Sequence, residues 1–261
     1  HQHILSPDSF DSKLPDLAWH GEDLDVTVLF FQPLFSKMSE SVTVGLCGQG
    51  ADELHAGYPR YKNLERHNRS ITQRLADMDC DLSSLQGEQW WTTNHSPDAH
   101  TGSLQDFLQF ELDHGQLSNF QLRLVDRHSM AHGLEVRVPF LGSRHRKASN
   151  KLPMDWRLPS SGEEKAALRA AAELTKLPSD IVRRPKLPAG RATSPKLIDS
   201  LIDDLQPHVT KIAKRYSGLE RALMKQPEIA IGLGLFESMH ILDGGRSKRS
   251  GSATDLLEEL D

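Results

Sequence analysis

Residues 43–61 read TVGLCGQGADELHAGYPRY. An apolar, β-branched run stops at Cys47, Gly48 and Gly50 bracket Gln49, and two acids, Asp52 and Glu53, follow at once. Glycines permit positive φ and close backbone approach, so successive N–H groups of such a turn can converge on an anion. Ligands of open α/β sheets sit at the carboxyl ends of strands, which is where this turn would lie. Carboxylates at a helix start serve both as helix-end groups and as Mg²⁺ ligands. A capped turn with no ligand satisfies the same residues equally well, since short glycine motifs recur by chance.

The elements that would position this turn follow from periodicity. VTVGLC (42–47) has the weight and glycine stop of a central parallel strand. Before it, His3–Leu5 reads as a short strand and Ser6-Pro7-Asp8 as a helix start. Phe10, Leu14, Leu17 and Ala18 then share one helical face. The apolar run VTVLFFQPLFSKM fits a buried helix or strand, its length favouring a helix with a kink or start at Pro33. Residues 65–101 read as a helix and then an irregular insertion in which Trp90 and Trp91 are packing anchors. Residues 103–142 carry helical spacing and read as two consecutive helices; 162–178, 195–215 and 228–241 read as further helices. Residues 246–261 read as a disordered tail with at most a fraying helix at its end. The count is many helices and very few strands.

Composition narrows the function classes. A chain of 261 residues allows one large domain with extensions, and its net charge of -5 gives no basic footprint for nonspecific nucleic-acid binding. The two cysteines, Cys47 and Cys80, lack CxxC spacing, which fits a reducing cytoplasm. The longest apolar stretch, Val26 to Phe35, is far short of the roughly 20 residues that a membrane span needs.

Three further stretches join the first. LRLVDRHSMAHGLEVRVPFLG (122–142), EKAALRAAAELTKLPSDIVRRPK (164–186) and WHGEDLDVT (19–27) occur with GLCGQGADELHAGYPRY in an ordered series. Together they resemble the carboxyl-terminal synthetase domain of the glutamine-hydrolysing, class B asparagine synthetase family, over most of residues 1–245. The resemblance implies an α/β fold of the adenine-nucleotide alpha hydrolase type, truncated at its amino end and mostly helical in this chain.

It also implies chemistry. Enzymes of this family activate a carboxylate with ATP and Mg²⁺, releasing pyrophosphate, and an amine or ammonia then attacks the acyl-adenylate. Carried over by motif, Asp52 is the candidate Mg²⁺ ligand, Lys165 and Lys186 the candidate phosphate-binding lysines, Gly48 and Gly50 the nucleotide-turn glycines, and Arg184 an assisting cation. Lysine suits such a role as a compact point charge. A solvated, acid-paired helix lysine is the structural alternative for Lys165. Lys186 stands in RRPKLPAGR, where stiff neighbours would hold a loop cation, a merely solvated basic loop being the alternative. Gln49 stands where many members carry a glutamate, and an amide cannot accept a proton as a carboxylate does, so asparagine is not the assured product. Asp126, Arg127, Glu135 and Arg137 read as a buried or half-buried ion-pair framework, Glu22, Asp23 and Asp25 as solvated acids, and His20 and His132 as structural histidines.

The family's SGGxDS nucleotide loop occurs nowhere in these 261 residues. By family order that loop and a glutaminase domain belong upstream, so this chain alone is expected to have little or no synthetase activity. The expected substrates are an aspartate-like acid and an ammonia donor. A protein supplying the nucleotide loop and a homodimer are admitted as partners. An amide-forming ligase or cyclase of secondary metabolism and a non-catalytic binding subunit are the alternatives.

Overall fold

The apolar faces read from the sequence become, in the computed structural model, a set of short helices around one small sheet; residues 12–28, 31–79, 103–186, 195–246 and 248–260 are described. Helix α1 (Leu14–Asp16) runs on through a π turn, Leu17–Gly21, and buries Leu14, Leu17 and Ala18, the face their spacing predicts. The next apolar segment is helical, α2 (Phe31–Ser39), with Pro33 inside it. Strand β1 (Val44–Leu46) leads into α3 (Ala51–His55), followed by α4 (Leu64–Ala76), α5 (Leu104–Asp113) and α6 (Leu122–Met130).

The segment 103–142 does not stay helical to its end. After α6 it forms strand β2 (Glu135–Arg137), which pairs parallel with β1 in the register Val44↔Glu135, Gly45↔Val136, Leu46↔Arg137. The alternation in Glu135-Val136-Arg137-Val138 has the period of a strand, a signal masked by the long helical pattern before it. Nor is β1 a covered central strand, because β2 is its one neighbour among the described residues and Leu46 is 72% exposed. Beyond β2 come α7 (Ser143–Ser149), α8 (Met154–Arg157), α9 (Ala166–Glu173), α10 (Ser179–Val182), α11 (Pro195–Asp204), α12 (Gln206–Arg215), α13 (Glu220–Lys225), α14 (Pro227–Phe236) and α15 (Ala253–Glu258).

Three apolar clusters hold these elements. The largest joins α1 to α11, α12, α14 and α15 through residues such as Leu17, Ile198, Val209, Ile231 and Leu256. A second packs Phe31 and Phe35 of α2 against Leu124 and Val125 of α6 and Leu134, on the flank of the sheet. The third gathers Ala56, Tyr61, Phe107 and Leu108 beneath α3.

The expected disordered tail is corrected by α15. Ser252 accepts from the Asp255 backbone N–H while the Asp255 carboxylate accepts from the Ser252 N–H, closing a capping box, and Leu256 and Leu257 are buried in the largest cluster. Two leucines in the last turn of a capped helix outweigh the polar lead-in GGRSKRSGS that made the segment read as unstructured. No helix among the described residues is long and apolar enough to cross a membrane. The strand His3–Leu5, the helix start at residues 6–8, Phe10, Cys80 and the Trp90-Trp91 anchors lie outside the described residues.

Candidate active site

The turn after β1 is fixed by sterics as much as by hydrogen bonds. Gly50 adopts φ 88°, and a Cβ there would stand 2.3 Å from Leu141 Cδ2, so the position admits only glycine. Gly48 is different: its φ is not in the left-handed region, and a Cβ would meet nothing within 4 Å. The turn therefore needs one glycine for conformation, while the other leaves its surface open.

Helix α3 then stops within five residues. Ala56 takes φ 53°, and the Gly57 N–H donates to the Asp52 carbonyl at 2.8 Å. A Cβ on Gly57 would lie 2.0 Å from Asp52 Oδ1. Gly57 thus makes room for the carboxylate, a role that the sequence reading missed although the residue lies inside the quoted motif.

Asp52 is where distant parts of the chain converge. Lys165 Nζ lies 3.0 Å from Asp52 Oδ1, and Lys186 Nζ lies 3.1 Å from the same oxygen and donates to Oδ2 at 3.1 Å. Lys165 holds this position with a left-handed backbone, φ 57°, at the start of α9. A non-glycine residue in that region costs on the order of 1 kcal/mol, and its neighbours hold it there. Glu163 pairs with Arg183, Glu164 pairs with Lys62, and Arg169 Nε donates to the Glu164 carbonyl. Lys165 is therefore acid-paired, as its structural alternative has it, but its side chain is largely buried rather than solvated.

These groups line one cavity of about 550 Å³. Gly48, Gln49, Asp52, Lys165 and Lys186 line it together with the apolar Phe31, Phe120, Leu124 and Phe140. The volume falls within the roughly 300–1,000 Å³ of small-molecule sites. Tyr58 forms part of the wall, with Lys186 Nζ 5.1 Å and Arg60 Cζ 4.1 Å from its ring centroid. Gln121 Nε2 donates to the Tyr58 hydroxyl at 2.8 Å, and burial pushes that phenol well above its ordinary value.

Behind Asp52, Glu53 is 1% exposed, and among the described residues neither carboxylate oxygen has a hydrogen-bond partner. Burial, reinforced by the Asp52 and Glu111 charges, raises its pKa to about 7. The nearby Arg60 opposes this only partly, because its guanidinium donates to Glu111 at 2.7 Å. The residue types of the turn offer Asp52 and Glu53 alike, and the resemblance singles out Asp52; Asp52 faces the cavity and Glu53 is packed beneath it.

Arg184 does not join the cavity. It is exposed and lines an adjoining hollow with Leu177, Ile181 and Pro185. The acids of WHGEDLDVT line another cavity, of about 580 Å³, that shares Phe120 with the first. Glu22 pairs there with Arg127 at 2.9 Å and Asp25 accepts from Thr27, while Asp23 is buried rather than solvated. The Glu135–Arg137 pair of the expected framework is solvent-exposed, not buried. His132 Nε2 donates to Gln32 Oε1 at 2.9 Å, and Gln32 Nε2 to His128 Nδ1 at 2.5 Å, a structural network as expected for His132.

Mg²⁺ is commonly held by one or two carboxylates together with substrate phosphates. Among the described residues no group of three or more His, Cys, Asp or Glu could hold a metal ion; Asp52 is the one carboxylate among those lining the cavity, and an ion beside it would take its remaining ligands from a bound phosphate or water.

Residues 1–227 match the family described as Asparagine synthase. The chain belongs to the asparagine synthase family. It is 24% identical over 232 residues to asparagine synthetase [glutamine-hydrolyzing] 1 of Bacillus subtilis, covering 70% of this chain and 36% of that enzyme. It is 38% identical over 112 residues to the Gallus gallus asparagine synthetase, 39% of this chain and 20% of that one. Over 72 residues it is 43% identical to the Homo sapiens enzyme, 27% of this chain and 13% of the relative. This asparagine synthase chain thus spans about a third, or less, of the curated relatives it matches. Its ordered motifs converge on a single carboxylate, Asp52, from Lys165 and Lys186 far along the chain.

Proposed function

We propose that this chain is the carboxyl-terminal part of an ATP-dependent, AMP-forming amide synthetase that joins an aspartate-like acid to ammonia released from glutamine. The reading is carried by one observation: Lys165 and Lys186 flank Asp52 in a cavity that apolar side chains also line. Phosphoryl charge that develops as pyrophosphate departs needs fixed cations, and two lysines within 3.1 Å of one carboxylate supply more positive than negative charge. Asp52 would hold Mg²⁺, which when bound neutralises phosphate charge. Gln49, half-buried on the cavity wall, would orient the acyl group through its amide without taking a proton. The parallel pairing of β1 and β2, with the glycine turn at the carboxyl end of β1, supports an adenine-nucleotide alpha hydrolase-like sheet. The cysteine usage supports a cytoplasmic protein.

Turnover on this reading requires the nucleotide loop that the 261 residues lack. ATP–pyrophosphate exchange with aspartate is expected to be absent for the chain alone and present when a polypeptide carrying the SGGxDS loop is added. Lys186→Ala should lower that exchange by about 10²–10³, the usual cost of losing one charge-stabilising group. Exchange that is unaffected by Lys186→Ala would refute the reading. A second reading, an amide-forming ligase acting on a less polar acid, is favoured by Phe31, Phe120, Leu124 and Phe140 in the cavity together with Gln49. Product analysis with aspartate and ammonia separates the two.

A further inference from the structure

The turn from α9 to α10 exposes apolar side chains that the packing of this chain does not use. Leu174 is 90% exposed, Leu177 54% and Ile181 53%. Single exposed leucines are ordinary, whereas a cluster of them marks an interaction surface. Leu177 and Ile181 also line the hollow of about 270 Å³ beside Arg184, whose other apolar walls are Leu168, Ala172 and Val182.

The charges of this hollow are all of one sign. Lys165, Arg169, Arg184 and Lys186 line it, and among the described residues no carboxylate does. The acids nearest in sequence are already taken: Glu163 and Glu173 pair with Arg183, and Glu164 pairs with Lys62. Lys165 and Lys186 are tied to Asp52, and Arg169 donates to the Glu164 and Val182 carbonyls. Arg184 is exposed, and its guanidinium has no hydrogen bond or ion pair among the described residues. The surface therefore asks for an occupant that is apolar in the hollow and anionic at its edge. A compact ligand does not fit this description well, because the hollow is smaller than the roughly 300–1,000 Å³ of small-molecule sites and Leu174 lies outside it. A lipid surface meets protruding side chains rather than a concavity. An amphipathic helix meets every part, with one apolar anchor in the hollow, its flank over Leu174 and a carboxylate beside Arg184.

We propose that the α9–α10 turn is a docking surface for an acidic amphipathic helix of another protein, one apolar side chain of which enters the hollow while an adjacent carboxylate pairs with Arg184. Guanidinium suits that position because its fork engages both oxygens of a carboxylate. The inference goes beyond the synthetase reading and does not depend on it, since Leu177, Ile181 and Arg184 line no part of the Asp52 cavity.

The test is fluorescence anisotropy of the chain with a labelled synthetic helix carrying leucine at i, i+3, i+4 and i+7 and glutamate at the flanking positions. Wild type should bind it about tenfold more tightly than the same peptide with lysine for glutamate, and should not bind the version with serine for leucine. Leu177→Ala and Ile181→Ala should each weaken binding about three- to tenfold, the effect of leaving half an aliphatic side chain unburied. Arg184→Gln should weaken it about threefold at low salt and less at high salt. Met224→Ala, which trims an exposed side chain of α13 instead, should leave it within about twofold. All four positions are exposed, and a melting curve of each variant verifies that it is folded. No binding of the glutamate peptide, equal binding of the lysine peptide, affinity unchanged in Leu177→Ala and Ile181→Ala, or an equal loss in Met224→Ala would each overturn the docking surface. Binding to phosphatidylglycerol vesicles in place of the peptide would overturn it in favour of a membrane face.

Discussion

Replacing Glu53 by Gln should make the protein more stable relative to wild type as pH rises. In the folded chain Glu53 is 1% exposed and its carboxylate oxygens lack partners among the described residues, so burial holds its pKa at about 7 against an ordinary 4.5. The folded state thus binds a proton that the unfolded chain gives up, and stability present below pH 4.5 is lost as pH climbs through 7. At 1.36 kcal/mol per pH unit the whole effect is about 3 kcal/mol, of which about 2.5 kcal/mol falls between pH 5 and pH 8. Other groups run the opposite way: His55, His67 and His128 are each depressed to about 4, chiefly by burial, and weaken the fold as pH drops from 6.5. Those groups are common to both proteins and cancel in the comparison. The substituted side chain adds only a pH-independent offset, since an amide does not titrate. Urea unfolding of both proteins at pH 5 and pH 8 should therefore give a stability difference that grows by about 2.5 kcal/mol, equivalent to roughly 5–10 °C in Tm for a chain of this size. A difference that stays flat to within about 0.5 kcal/mol would show that Glu53 is ionised and solvated in the folded protein, and would refute the reasoning.

Gly57→Ala places a methyl group 2.0 Å from Asp52 Oδ1; it should cost about 1–3 kcal/mol by overpacking and weaken pyrophosphate binding, checked by melting and titration. Leu256→Ala, at a position with 0% exposure, should cost about 2–5 kcal/mol in urea unfolding, whereas in a disordered tail it would cost nothing. Ser252→Ala should lose about 1 kcal/mol through the capping box, read in the same assay.

Much of the site was legible because its residues announce their chemistry locally. A glycine that must adopt positive φ, an acid at a helix start and a lysine between stiff neighbours can each be read from a few positions: Gly50 takes that φ, Asp52 stands in the first turn of α3 and Lys186 reaches its carboxylate, while their binding roles are proposals. What was not legible depends on the partner across space. Nothing near Gly57 reveals that Asp52 Oδ1 fills the volume of its absent side chain. Nothing in the Asp52-Glu53 pair tells which acid is buried, because that is decided by Arg60, Tyr61 and Glu111 in the packing beneath α3. Arg184 is two residues from Lys186, yet it lines a separate hollow. The strand β2 was missed, and helix α15 was read as no more than a fraying end, for a more local reason: three residues of alternation follow a long helical pattern, and a capping box hides in a polar stretch.

The distribution of packing explains why the site is assembled from charges. The largest apolar cluster lies among α1, α11, α12, α14 and α15, and none of the catalytic candidates belongs to it. Helix α9, which starts at Lys165, has no fully buried residue, and α10 buries only Val182. Hydrophobic burial therefore contributes little to placing residues 163–186 against α3. Their position against the rest of the chain is held instead by the pairs Lys62–Glu164, Lys165–Asp52 and Lys186–Asp52, while Arg183–Glu163 and Arg183–Glu173 tie the segment to itself. Exposed pairs of this kind contribute about 0–1 kcal/mol each and weaken with salt. The less exposed pairs at Asp52 are screened less, which makes that carboxylate the strongest point of attachment for the segment. A polyanion at Lys165 and Lys186 would compete for the same two cations that join the segment to α3. Binding there is consequently coupled to the position of α9 and α10, through a charge balance that buried leucines could not provide.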